Sequence, residues 1–339
     1  MYLKLSLPNK KYLSGVKDAI SEYCQAPSKF EINAVKKMIS AQQNNFSDYF
    51  TLTENERLGI NLKPNYVSHT VFWLICDDEY VGTFDLRHSI TPYLKQTGGH
   101  IAYQIRPSKQ QKGFAYNGLQ LCLKEAFKMG LNKVLLTCIE ENIASYTLLK
   151  KAIRTFGGIE DFPSQKDGII NKRVWLWTSE KPTIYLICGF LGAGKTTYSQ
   201  KLANSTNSIH LNPDEWCMKL FSKNEYETNW DECFKYSVNY LWQKANEYAL
   251  QNKNVIFDMG FWNKKDRLAA YKKAFDMGFQ PVFCYVYAPD DVMIKRLSQR
   301  KGLIAENNIK NFKNLKNLFE EPDDDEFYIY TDNSKDINV

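Results

Sequence analysis

The stretch TIYLICGFLGAGKTTYSQKLAN (residues 183–204) decides the fold of the second half of the chain. An apolar run leads into Gly189-Phe190-Leu191-Gly192-Ala193-Gly194-Lys195-Thr196, which fits G-x-x-x-x-G-K-[ST] completely, and a helix opens at Thr196 and Thr197. Gly189, Gly192 and Gly194, with the small Ala193, let backbone N–H groups turn inward around phosphate oxygens. The helix N-terminus adds its partial positive charge. Lys195 is then expected to reach the β- and γ-phosphates and Thr196 to ligate Mg2+, with Thr197 beside it in a site for ATP.

Downstream, NVIFDM (254–259) and PVFCYVY (281–287) are solid apolar runs separated by helical patterns, which predicts a parallel sheet covered on both faces. Asp258 ends the first run, where a carboxylate can reach Mg2+ through water. Asp214 follows a short strand, Ile209–Leu211, and could accept the proton of a hydroxyl attacking the γ-phosphate. Its competing role is a helix N-cap. Arg296 and Arg300 are four residues apart, which predicts one helix face that closes over the triphosphate; a solvated basic face is the plainer alternative. The acidic run EEPDDDE (320–326) reads as a solvated loop.

Upstream, the polar SEKP (179–182) separates this unit from a different α/β pattern, giving domains 1–178 and 183–339 with a linker at 179–182. Strands are expected at 71–76, 80–87, 99–107, 133–139 and 173–178, and helices at 11–24, 30–42 and 117–130. Leu119, Cys122, Leu123, Ala126 and Phe127 mark the buried face of the last helix. At the turn before it stand Gln110, Gln111, Lys112, Gly113, Phe114 and Ala115. Small residues at 113 and 115 allow backbone amides to approach a pyrophosphate at a helix start.

The chain has 339 residues with 44% hydrophobic and 24% charged residues, an ordinary globular balance that excludes a disordered or collagen-like chain. Residues 1–180 hold 23 basic and 17 acidic groups, so the whole formal charge of +6 lies there and 181–339 is neutral. The excess is too mild to signal nucleic acid, and there is no basic tail. No apolar stretch spans a membrane and no secretory signal opens the chain. Eight cysteines lack any C-x-x-C pair, which points to reduced thiols, no structural zinc and a cytoplasmic protein.

Two resemblances follow from these motifs. GFLGAGKTT, LNPDEW, FDMGFW, RLSQR and FEEPDDDE resemble the AAA-type P-loop kinases related to zeta toxin and chloramphenicol phosphotransferase, over about 183–327. The resemblance implies that Asp214 acts as base and that Arg296 and Arg300 belong to a lid. The segment 98–145, GGHIAYQIRPSKQQKGFAYNGLQLCLKEAFKMGLNKVLLTCIEENIAS, resembles the core of the GNAT-superfamily N-acetyltransferases, over about 70–158 with two leading helices before it. That implies that strands 99–106 and 133–139 splay apart to admit the pantetheine of acetyl-CoA. It also implies that the loop 110–115 holds the pyrophosphate and that Asn142 contacts the cofactor. The tyrosine that many members use as acid is replaced by Leu148, with Tyr146 on another helix face. Glu140, Asp85 and His88 are candidates for a base or water relay, and ordinary surface or strand-end polarity is the alternative for each; a satisfied structural histidine is the equal alternative for His88 and His100. Together these features imply a bifunctional enzyme, an acetyl-CoA-dependent N-acetyltransferase followed by an ATP/Mg2+-dependent kinase acting on small molecules. A nucleotide-sensing module that gates the acetyltransferase, or a toxin-like effector acetylating a macromolecule, are the competing expectations.

Overall fold

Glycine and strand patterns resolve into two compact units, Met1–Glu180 and Lys181–Val339, in the computed structural model, which describes residues 2–166, 168–300, 303–323, 326 and 328–334. Asp324 and Asp325 of the acidic run lie outside the described residues.

The first unit begins with β1 (Leu3–Ser6), α1 (Leu13–Gln25), α2 (Asn33–Gln42) and α3 (Tyr49–Leu58). It continues through β2 (His69–Cys76), β3 (Glu79–Arg87), α4 (Pro92–Gln96), β4 (Ile101–Ile105), α5 (Phe114–Lys128) and β5 (Lys133–Ile139). α6 (Ile143–Phe156), β6 (Gly158–Lys166) and β7 (Ile169–Trp177) complete it. Strands β1-β2-β3-β4 form one antiparallel sheet and β5-β7-β6 another. Every residue of β2 is buried, as its unbroken apolar run predicts for a strand covered on both faces. A cluster of Tyr23, Tyr49, Trp73 and Tyr80 joins α1–α3 to one face. α5 packs on β3 through Gly118, where an added Cβ would fall 2.4 Å from the Phe84 ring. Its buried stripe is the expected one except for Phe127, which is 50% exposed. Three leading helices replace the expected two, and β6 joins the sheet beside the anticipated β7.

The second unit runs β8 (Thr183–Cys188), α7 (Lys195–Thr206), β9 (Ile209–Leu211), α8 (Pro213–Leu220), α9 (Lys223–Thr228) and α10 (Trp230–Leu250). β10 (Val255–Gly260), α11 (Lys264–Asp276), β11 (Gln280–Tyr287), α12 (Asp290–Ser298), α13 (Leu303–Lys310), α14 (Phe312–Lys316) and β12 (Tyr328–Asp332) follow. The sheet is wholly parallel, in the order β12-β11-β8-β10-β9. Val255–Asp258 are buried at successive positions, so both faces of β10 are covered. The acidic run is not the free loop that its composition suggests. Glu326 is 5% exposed at its side chain and takes a bidentate pair from Arg267 Nε and Nη2, each at 2.7 Å. Glu320 accepts the Lys264 backbone N–H at 2.7 Å, which holds the segment against α11.

Candidate active sites

In the second unit the loop 189–194 turns from the end of β8 into α7. Gly189 N–H donates to Gly260 O at 3.0 Å, fixing the loop to the neighbouring strand. Asn333 Nδ2 donates to Ala193 O at 2.9 Å, and Arg296 donates to Gly192 O at 3.3 Å and Ala193 O at 3.2 Å. The C=O and N–H of one peptide plane point in opposite directions, so holding the Ala193 carbonyl from one side turns the Gly194 N–H to the other. Gly194 has φ of +93°, and a Cβ there would fall 2.0 Å from Asn333 Nδ2. Only glycine fits. No side chain caps the first turn of α7, which leaves its N–H groups for an anion.

Three charged groups converge on this turn. Lys195 Nζ donates to Phe190 O at 3.1 Å, and burial lowers its pKa despite the attraction of Asp258 and Asp214. Asp258 is 4% exposed and accepts from Asn212 Nδ2 at 3.1 Å and from His210 Nε2 at 3.2 Å. Burial opposes its ionisation. The His210 hydrogen bond, the Lys195 charge and the Thr196 hydroxyl outweigh that, so Asp258 titrates below the usual carboxylate range. Asp214 shifts the other way, because crowding by the surrounding protein raises it more than Lys195 and Arg300 lower it. The N-cap of α8 is Asn212, whose side chain accepts from Glu215 N–H at 3.0 Å. Asp214 is therefore free of the capping role that competed for it.

Arg296 and Arg300 do not share a helix face. α12 ends at Ser298, with Gln299 as C-cap, so Arg300 lies beyond the helix. Arg296 reaches the carbonyl side of the loop and also donates to Asn333 O at 2.7 Å, a bracing position rather than a closing one. Arg300 is the arginine whose charge is felt at Lys195 and Asp214. Sequence reasoning missed Asn333, His210 and Arg267. Asn333 and His210 carry no local pattern, and Arg267 sits in an ordinary lysine-rich helix.

In the first unit, β4 and β5 meet at one point. His100 N–H donates to Leu135 O at 2.6 Å, and its ring Nδ1 accepts from Leu135 N–H at 2.9 Å. Gly99, at φ of +57°, permits the approach, since a Cβ there would lie 2.3 Å from Leu135 O. β4 and β5 belong to separate sheets, the arrangement expected of strands that part to admit a cofactor. His100 is 5% exposed, and its pKa is pushed down to about 4, by burial first and Arg87 second, so the imidazole is neutral with Nε2 protonated.

Gly113 is the N-cap of α5 and no side chain caps that turn. Phe114 is buried, whereas Gln111, Lys112 and Gly113 face solvent beside Ala115. Gln110 donates to Ile105 O at 3.3 Å and Lys112 to Ser108 O at 3.0 Å, so both side chains shape the turn. A network unseen in the sequence fixes its approach. Glu22 accepts from Arg106 Nε at 2.8 Å and from Ser108 N–H at 3.0 Å; burial opposes its charge, but these partners pull its carboxyl down to about 2.

Asn142 is the N-cap of α6, with Oδ1 accepting from Ser145 N–H at 3.1 Å. Glu140 is about half exposed and pairs with Lys172 at 2.9 Å, which ties up the carboxylate expected to serve as base. Tyr146 donates to Glu160 at 2.6 Å. His88 hydrogen-bonds Thr70 at 2.8 Å, and Asp85 is 4% exposed with Oδ1 unpartnered among protein atoms. The hydroxyls of Tyr103 and Ser145, also missed in the sequence, lie 3.0 Å apart.

Comparison with known proteins places names on both units. Residues 22–152 match the acetyltransferase (GNAT) domain family and residues 184–322 an AAA domain family. The uncharacterized N-acetyltransferase YnaD of Bacillus subtilis (strain 168) is 38% identical over 63 residues, 17% of this chain, and the match spans 37% of that relative's length. Among solved structures, a sugar kinase from Janibacter sp. HTCC2649 is 18% identical, covering 45% of this chain and 86% of its own, with a TM-score of 0.35. Mutant forms of the spermidine/spermine N-acetyltransferase SpeG from Vibrio cholerae are 14% identical, covering 52% and 95%, with a TM-score of 0.32. By these matches the first unit carries a segment similar to the GNAT acetyltransferase domain and the second a segment similar to the AAA domain, each over less than half of the chain.

Proposed function

We propose that the chain is a bifunctional enzyme, in which the first unit transfers acetyl from acetyl-CoA to an amine and the second transfers phosphoryl from ATP to a hydroxyl. The observation that carries the second half is the convergence of Lys195, Asp258 and Asp214 on the uncapped start of α7. The loop N–H groups and Lys195 would hold the phosphates. Thr196 and Asp258 would hold Mg2+, which when bound offsets negative charge on the phosphates. Asp214 takes the proton of the acceptor hydroxyl; its raised pKa makes it a better proton acceptor than an ordinary aspartate. Arg300 offsets charge from the open side, while Arg296 holds the loop in shape.

In the first unit the parting of β4 and β5 into separate sheets and the uncapped start of α5 fit a long, pyrophosphate-bearing thioester. Gln110–Ala115 would hold its pyrophosphate, and Asn142 Nδ2 stays available to it because the cap uses only Oδ1. Coenzyme A supplies the activated acetyl group; the chain supplies orientation and proton management. One hydroxylated amine, such as an aminosugar, would satisfy both chemistries. All eight cysteines are free, which suits a reducing cytoplasm, and no helix among the described residues is long and apolar enough to cross a membrane. The test is mass spectrometry of a metabolite extract incubated with the protein, acetyl-CoA and ATP. Mass gains of one acetyl and one phosphoryl group on a single compound are expected. Gains of neither group refute the reading.

A further inference from the structure

β4 and β5 share no backbone ladder, and a side-chain bridge runs from β4 to the first turn of α6, the helix that follows β5. Tyr103 Oη, from β4, lies 3.0 Å from Ser145 Oγ in the first turn of α6. The Tyr103 ring is fixed by stacking on Phe84 at 5.5 Å, and Phe84 is itself wedged against Gly118 of α5. Ser145 is fixed through its backbone, whose N–H donates to Asn142 Oδ1. Burial pushes the pKa of the Cys138 thiol of β5 up to about 11, and the neighbouring Ser145 pulls it back part of the way. Tyr103 and Cys138 each lie three residues along the chain from the His100–Leu135 contact.

We propose that Tyr103 is the acid that protonates the departing thiolate of acetyl-CoA, with Ser145 as its positioning partner. The assignment rests on the acetyl-CoA reading above. The amine nitrogen bonds to the acetyl carbon and the C–S bond breaks with its electron pair going to sulfur. The Tyr103 O–H proton moves to that sulfur, and a proton released by the amine returns to the phenolate through Ser145 or solvent. The other nearby polar groups are engaged: the Tyr146 hydroxyl with Glu160, and Glu140 with Lys172. Position 148, one further turn along α6, is leucine. The Tyr103 hydroxyl, by contrast, meets another hydroxyl, and either of the two can donate, so its proton can turn to a sulfur at small cost.

The test uses the full-length protein and coenzyme A with a free thiol, so no acceptor is needed. A hydroxyl that donates to a thiolate favours the charged form and lowers its pKa. Ultraviolet absorbance of the thiolate, followed against pH, should show bound coenzyme A titrating about one unit or more below the free compound. Tyr103→Phe should return the titration towards the free value while calorimetry finds the affinity at neutral pH within about threefold of wild type. An unchanged titration in Tyr103→Phe that binds normally overturns the assignment alone. Failure of the wild-type protein to bind coenzyme A overturns the acetyl-CoA reading and the assignment with it. Should Tyr103→Phe not fold, Ser145→Ala decides: a titration moved towards the free value supports the pair, and one unmoved refutes it.

Discussion

Protonating His100 should loosen the contact between β4 and β5. Its ring Nδ1 takes the place of a backbone carbonyl by accepting the Leu135 N–H at 2.9 Å, and it can do so only when neutral. Its pKa falls from 6.5 to about 4 on folding. An unfolded imidazole therefore binds a proton that the folded one refuses. Between those two values acidification favours unfolding, and the contribution present above pH 6.5 is lost as the pH falls through about 4. At about 1.4 kcal/mol per unit, the full loss is on the order of 3 kcal/mol. Burial of the ring, 5% exposed, leaves little solvent screening to discount. The assay is amide exchange of the peptide covering 133–139 in the full chain, corrected for intrinsic exchange, at pH 7.5 and pH 5. Wild type should lose protection at the lower pH by about tenfold or more, as expected for a unit or more of uncompensated protonation. His100→Gln, which cannot titrate, should start less protected and show almost no further loss. Equal losses in both proteins would refute the idea that this imidazole pins the strands.

Three further outcomes follow from the second unit. Gly194→Ala should abolish ATP binding measured by calorimetry, because its Cβ would sit 2.0 Å from Asn333 Nδ2 and the loop would have to unfold from it; retained binding contradicts the loop geometry. Asp214→Asn should leave ATP binding intact while slowing phosphoryl transfer by about 10²- to 10⁴-fold, the usual worth of a general base. Equal turnover would refute Asp214 as the base. Arg267→Met should destabilise the unit by about 3–5 kcal/mol, seen as a lowered melting transition, since it strands Glu326 in a buried position. The double variant Arg267→Met, Glu326→Leu should recover most of that loss.

What could be read from the sequence was what local spacing dictates. The strands 183–188, 209–211 and 133–139 stand at the expected residues because each is an apolar run bounded by turn residues. The P-loop was equally legible, since its glycines, lysine and threonine act within eight residues of one another. Roles set by distant partners were not. Arg296 looked like the first half of a lid pair, but the helix stops two residues before Arg300 and its guanidinium meets carbonyls 103 and 104 positions away. Glu326 looked solvated within an acidic run, but Arg267, 59 residues earlier, buries it. Phe127 shares the spacing of a buried stripe yet projects to solvent, because period alone sets a helix face and not its width.

The charge asymmetry of the two halves also takes on a different meaning in three dimensions. All of the +6 belongs to residues 1–180, the half expected to hold the pyrophosphate of a thioester. The cations closest in sequence to its loop are nevertheless committed elsewhere. Arg106 pairs with Glu22 at 2.7 Å and Glu79 at 3.2 Å, and Lys109 pairs with Glu79 at 2.6 Å. Lys112 is turned to the Ser108 carbonyl. Their charge is used to stiffen the entry to α5, so that an anion there meets a fixed row of backbone N–H groups. The neutral second unit reaches the same end with Asn333 and Arg296 bracing the back of the loop. On the proposed reading, the ionic groups of each unit shape a backbone cradle, and the cradle rather than the net charge would present the anion site. Neutralising Lys109 should therefore weaken coenzyme A binding mainly by loosening the turn, with a smaller salt dependence than loss of a direct phosphate contact would produce.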